Sequence, residues 1–200
     1  MNATMYTAEN FERLLGLPGM SDVLLKNHFT LYEGYVKNTN SLIEILRSGK
    51  HAPGTPEYNE LTRRFGWEWN GMRLHELYFG NMVKEAKPLS SGGELEKILN
   101  YVWESVENWQ KDFVGIGTMR GIGWVVLALD TKKHMVFNTW VNEHDAGHLA
   151  GAVPLLVMDV FEHAFMLDYG LKRADYIQAF LSAIDWSVVE GRLSDAMKLV

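Results

Sequence analysis

From Ser21 the segment SDVLLKNHFTLYEGYVKNTNSLIEILRS carries apolar and aromatic residues at helical spacing, with Ser21 placed to cap the start and Gly49 to stop the run. One long helix is predicted. The next segment, KHAPGTPEYNEL, is rich in proline and glycine, and Thr55, Pro56 and Glu57 suit a helix start before LTRRFGWEWNGMRLHELYFGNMV resumes the spacing. Two antiparallel helices are the simplest outcome. After Pro88, LSSGGELEKILNYVWESVENWQKDFV reads as a glycine loop followed by one more amphipathic helix, which sets a domain boundary near Leu89 and divides the chain into 1–88 and 89–200. The pattern then changes. GWVVLAL and HMVFNTWV are β-branched and aromatic, DTKK between them suits a hairpin turn, and VPLLVMDV makes a third strand. The tail, ADYIQAFLSAIDWSVVEGRLSDAMKL, is helical again. The expected class is α+β: an N-terminal antiparallel helical hairpin domain, then a C-terminal α/β domain with a small three-stranded antiparallel sheet.

Composition narrows the chemistry. The 200 residues contain no cysteine, so disulfides, thiolate metal sites and cysteine nucleophiles are excluded, and any metal must be held by nitrogen and oxygen. A net charge of −6 argues against a nucleic-acid partner, which needs a basic face. The start, MNATMYTAENFERLLGLPGM, has no basic stretch followed by a long apolar run, and no stretch of about 18 apolar residues occurs, so a cytoplasmic protein with no membrane partner is expected.

Seven histidines are present, and their grouping matters more than their number. His28 shares a helix face with Tyr32 and Tyr35, and His75 shares one with Gly71 and Tyr78. Two inward histidines on facing helices make half of a metal site, although two core histidines bonded to nearby tyrosines would read the same way. The segment DVFEHAF is more telling, because Asp159 ends a strongly apolar strand and His163 follows four residues later. A buried carboxylate there calls for a cation, an arginine or a chain end at the surface; alternatively Asp159 caps the following helix. Three histidines and a carboxylate suit iron or manganese, and zinc as well, so spacing alone leaves a zinc hydrolase open.

In unbroken order from about Ser21 to Leu193 the chain resembles the iron/manganese superoxide dismutases. The family's Asp-x-Trp-Glu-His-Ala segment is matched by DVFEHAF, with Phe161 for the tryptophan. Its Tyr-Val-x-x-x-Asn stretch is matched by YVKNTN, its second ligand helix by HELYFGNM, its first strand by GIGWVVLAL, and its late tyrosine and tryptophan by DYIQAFLSAIDWSVV. The resemblance implies one ion per subunit, iron favoured or manganese, held by His28, His75, Asp159 and His163 with solvent in a fifth position. It implies disproportionation of superoxide to dioxygen and hydrogen peroxide by redox cycling; a non-catalytic descendant of the fold is the competing reading. Tyr35 matches the gateway tyrosine and Trp124 an aromatic that walls the pocket. Glu162 matches the glutamate that reaches the other subunit's last histidine, and Arg173 an arginine near the substrate funnel. A homodimer or homotetramer is implied.

Three departures stand out. Family members commonly place the gateway tyrosine eight residues after the first ligand, with a histidine at the midpoint, whereas Tyr35 is seven beyond His28 and Tyr32 holds the midpoint. A seven-residue step keeps both side chains on one face of a regular α-helix, so no π-bulge is expected. Met166 replaces a tyrosine that usually meets the midpoint histidine across the dimer. The Gln or His beside the bound solvent is expected to be His144, in preference to Glu143 or His148, with Gly71 leaving room for its ring.

Overall fold

The computed structural model describes residues 5–198; residues 1–4, part of the start read above, and 199–200 lie outside it. Two long helices come first, α1 (Asp22–Arg47) and α2 (Pro56–Gly80). Both caps form as the residue types predict: Ser21 Oγ accepts from Leu24 N–H at 3.1 Å, and Thr55 Oγ1 accepts from Tyr58 N–H at 3.3 Å, with Pro56 in the first turn. The helix α1 is α-helical throughout, with no π turn between His28 and Tyr35. The two helices pair along their length as a hairpin.

The single helix expected after the glycine loop is two, α3 (Glu94–Trp103) and α4 (Val106–Gly117). Glu104 takes a left-handed backbone with φ 68°, and Ser105 then caps α4 by accepting from Asn108 N–H. A serine competing for backbone donors ended the run that periodicity alone would have continued.

The sheet has the order β2-β1-β3, built from β1 (Gly123–Asp130), β2 (Met135–Asn142) and β3 (Ala152–Asp159), all antiparallel. The hairpin loop is 131–134, one residue later than DTKK, with His134 in the left-handed turn position. The central β1 is buried along nearly all its length, which is why it reads as a continuous apolar run, while the edge strand β2 exposes Met135 and Phe137. Its start needs glycine: a Cβ on Gly123, at φ +146°, would lie 2.0 Å from the Val141 carbonyl oxygen. Between Leu127 and Ala128 the β1–β3 register slips, opposite Pro154, whose missing N–H cannot serve a ladder.

A short α5 (Met166–Tyr169) precedes α6 (Arg173–Ser182) and α7 (Trp186–Met197), so the tail is not one helix. The break docks on the end of α2: Val83 N–H donates to Ala183 O at 2.8 Å, and Asp185 N–H to Asn81 O at 2.9 Å. The buried Asn81 joins the two halves. Its amide donates to Tyr78 O, and its Oδ1 accepts from Val157 N–H at 2.9 Å and from Arg192 at 3.2 Å. The end of α2 is thereby tied to β3 two residues before Asp159. No helix among the described residues is long and apolar enough to cross a membrane.

Candidate metal centre

Four elements converge on Asp159. Its Oδ1 accepts from Phe161 N–H at 2.8 Å, so the turn after β3 satisfies one oxygen. Around Oδ2 lie His28 Nε2 at 3.2 Å from α1, His75 Nε2 at 3.7 Å from α2 and His163 Nε2 at 3.2 Å from the 3₁₀ turn Glu162–Ala164. One ligand atom from each of the four residues falls within 4.8 Å of the others. Two donors on opposite sides of an ion with bonds of about 2.1 Å stand about 4.2 Å apart, so the cluster is of metal-site size.

The donor atoms also have the right chemistry. His28, His75 and Asp159 are at most 1% exposed, yet His28 Nε2 and His75 Nε2 have no hydrogen-bond partner. Such orphaned atoms are costly in a core unless a cation takes their lone pairs. The His75 tautomer is set from behind, because its Nδ1–H donates to Gly71 O at 2.6 Å and leaves Nε2 as the lone pair aimed inward. Burial lowers the pKa of His28 and lowers that of His75 further, which suits neutral ligands. Burial alone would raise Asp159, but His163 and His28 beside it hold the carboxyl well below the usual carboxylate range. The donors fit a divalent or trivalent ion of intermediate hardness.

Tyr35, Trp124 and His144 meet beside this cluster. Trp124 Nε1–H donates to His144 Nδ1 at 3.1 Å, and an indole N–H can only donate. The His144 proton is therefore on Nε2, which donates to Tyr35 Oη at 2.9 Å. His148, in contrast, is exposed and its Nε2 reaches the His144 carbonyl at 2.9 Å. One expectation is corrected: the notch at Gly71 seats Tyr35 rather than His144, since a Cβ there would meet the Tyr35 ring at 2.6 Å. The Tyr35 ring lies flat along His75, which a helix-face argument could not foresee. Tyr32 turns inward, accepting from Glu9 N–H at 2.9 Å and donating to Glu76 at 3.0 Å.

Two other predicted residues lie apart. Arg173 donates to the carbonyls of Met119 at 2.7 Å and Gly121 at 2.9 Å, and with the exposed Glu162 it borders an open surface depression of about 750 Å³.

The chain matches the family model of iron/manganese superoxide dismutases, C-terminal domain, over residues 91–192. It is 34% identical over 191 residues to a superoxide dismutase [Fe] of Cupriavidus metallidurans, covering 91% of this chain and 92% of that one. The chain belongs to the iron/manganese superoxide dismutase family. Other members of the family carry either metal in their names: a superoxide dismutase [Fe] of Aquifex pyrophilus is 32% identical, with 91% and 88% covered, and superoxide dismutase [Mn] 2 of Haloferax volcanii is 32% identical, with 88% of both covered.

Several site residues of this family member escaped the sequence reading. Trp67 sits eight residues before His75, on the same i, i+4 row of α2 as Gly71, and that row was the available signal. The Trp67 ring lies 4.5 Å from His144 and 5.6 Å from Tyr35 between centroids. Tyr176 of α6 donates to the Asp159 carbonyl at 2.7 Å and pairs with Tyr78 Oη at 3.0 Å, both rings fully buried. Phe161 stacks on His163 and on His144. Apart from Phe161 on His163, these contacts join residues far apart in sequence.

Proposed function

We propose that this chain disproportionates superoxide to dioxygen and hydrogen peroxide at one ion per subunit, held by His28, His75, Asp159 and His163. The observation that carries it is the convergence of three imidazole nitrogens on Asp159 Oδ2 with two buried Nε2 atoms unpartnered. When bound, the ion supplies reversible one-electron exchange between its 2+ and 3+ states. Overall, one superoxide is oxidised to dioxygen, and a second is reduced and takes up two protons to give hydrogen peroxide.

The chain's own residues supply shape and protons. Asp159 contributes the anionic donor, and its backbone is held by Tyr176. Trp124 and Phe161 wall the cluster against water. Burial first, and the Asp159 charge next, raise the Tyr35 pKa above that of an ordinary phenol, so it holds its proton at neutral pH. Because His144 Nε2–H occupies an acceptor position on Tyr35 Oη, the phenol O–H is left to donate into the site. We take Tyr35 as the proton donor and His144 as the group that orients it.

Iron is the favoured ion, on the imidazole of His144 standing beside the centre where other members carry a Gln or His, and manganese is the alternative loading. The exposed Glu162 and the half-buried Arg173, around one depression, are assigned to the face where two copies meet, Glu162 reaching His163 of the other copy and Arg173 flanking the substrate funnel. We also take 1–88 and 89–200 as the two domains, a homodimer or homotetramer as the assembly, and the cytoplasm as the location. A non-catalytic structural descendant would have no use for the four donors, and against a non-catalytic metal-binding one stand the relatives named superoxide dismutase. Metal analysis with a superoxide-consumption assay on iron-loaded and manganese-loaded protein tests the reading: activity with either supports it, and zinc with no activity overturns it. Sedimentation showing an active monomer would remove the assembly.

A further inference from the structure

Glu143 is the residue between β2 and His144, and its backbone is unusual. It takes φ +49°, a left-handed conformation that L side chains other than Asn and Asp rarely adopt. The turn around it is closed tightly: Asn142 N–H donates to Ala146 O at 2.7 Å, and Glu143 N–H donates to Ile122 O at 3.2 Å. A glycine would meet that backbone at lower cost. A glutamate thus stands here despite a conformational penalty, and its side chain makes one contact across the molecule. Glu143 Oε2 accepts from Trp67 Nε1–H at 3.2 Å, although the two residues are 76 positions apart.

Trp67 is held from its other side as well. The Arg64 guanidinium stacks on the indole at 4.0 Å and is itself tethered to the buried Glu68 at 2.6 Å. The indole so fixed covers both rings of the proton-handling pair, His144 and Tyr35. We propose that Glu143 is a positioning residue of the reaction: its carboxylate latches Trp67 as a lid over the Tyr35–His144 pair, while its left-handed backbone turns the next residue, His144, inward. The latch joins α2, against whose Trp67 and Gly71 the Tyr35 ring packs, to the turn that carries His144, and so holds the pair in register. This inference rests on the dismutase reading above.

The test uses the metal-loaded full chain and separates stability from turnover. Glu143→Gly relieves the backbone penalty and deletes the carboxylate. The expected result is a denaturation midpoint equal to or above the parent's, with kcat lowered about fivefold and kcat/KM within about twofold, since proton delivery uses the latch and superoxide capture does not. Azide, titrated in the visible spectrum of the iron-loaded protein, binds more tightly once the lid is released. Glu143→Gln keeps an acceptor for the indole N–H and restores kcat, whereas Trp67→Phe keeps a ring, loses the donor and reproduces the kcat loss. Parent-like kcat in Glu143→Gly, a loss that Glu143→Gln does not rescue, or a fall in kcat matched by a fall in midpoint overturns the proposal. A metal-loaded parent that consumes no superoxide defeats the dismutase reading instead, and azide affinity with the midpoint still reports the latch.

Discussion

Two buried carboxylates in this molecule have opposite surroundings. Glu68 is 2% exposed and accepts from Arg64 and from the Asn38 amide, groups whose protons are fixed. Asp159 is fully buried, and its Oδ2 faces three imidazoles, two of which have an unpartnered Nε2. The first set is complete as it stands: an arginine one helical turn away neutralises the acid, and nothing is left over. The second closes only around a cation, because imidazole lone pairs and a carboxylate are all acceptors once the ring protons are directed elsewhere. Burial of an acid is therefore not the mark of a metal site; the protonation of its neighbours is.

The largest contrast is expected from truncating the acids. Asp159→Ala removes the anionic donor and should lower metal retention and superoxide consumption by more than about a hundredfold, measured by metal analysis and assay on one sample. Retained metal and full activity would show that the two acids differ less than their neighbours suggest. Next, stripping the ion from the parent with a chelator should cost about 4 kcal/mol of unfolding free energy if the ion binds a thousandfold above its dissociation constant. The same chelator should leave Asp159→Ala unmoved.

Asp159, and Arg64 that pairs with Glu68, both act electrostatically on His144. Burial lowers its pKa from the usual 6.5 to about 4. Above pH 6.5 both folded and unfolded states carry the neutral ring, so the group contributes no pH dependence. As pH falls from 6.5 towards about 4 the unfolded state binds the proton first, and stability is lost by an amount on the order of 3 kcal/mol. His144→Gln, which can still accept from Trp124 and donate to Tyr35, should flatten that part of the stability curve relative to the parent; parallel curves would reject the assignment. The smallest effect belongs to the self-contained pair. Glu68→Gln should cost about 1–2 kcal/mol in denaturant, discounted because Arg64 is half exposed, and leave metal content unchanged.

What the sequence determined by itself was local. Ser21, Thr55 and Pro56 set helix starts through side-chain oxygens and a fixed φ within one turn, and the β-branched runs set the strands. The seven-residue step from His28 to Tyr35 determined a regular α1, since helical geometry acts over the same few residues. DVFEHAF placed a carboxylate and an imidazole beside one another because the chain turns from the end of β3 into the 3₁₀ turn within four residues. What only the tertiary structure decided was which groups share a proton or a volume. Gly71 makes room for Tyr35 and not His144, Tyr176 holds the Asp159 backbone, and Glu143 reaches Trp67, and each of these joins residues 17 to 76 positions apart. Periodicity reports which face of an element is buried, whereas close packing decides which neighbour occupies it, and that choice depends on every surrounding side chain at once.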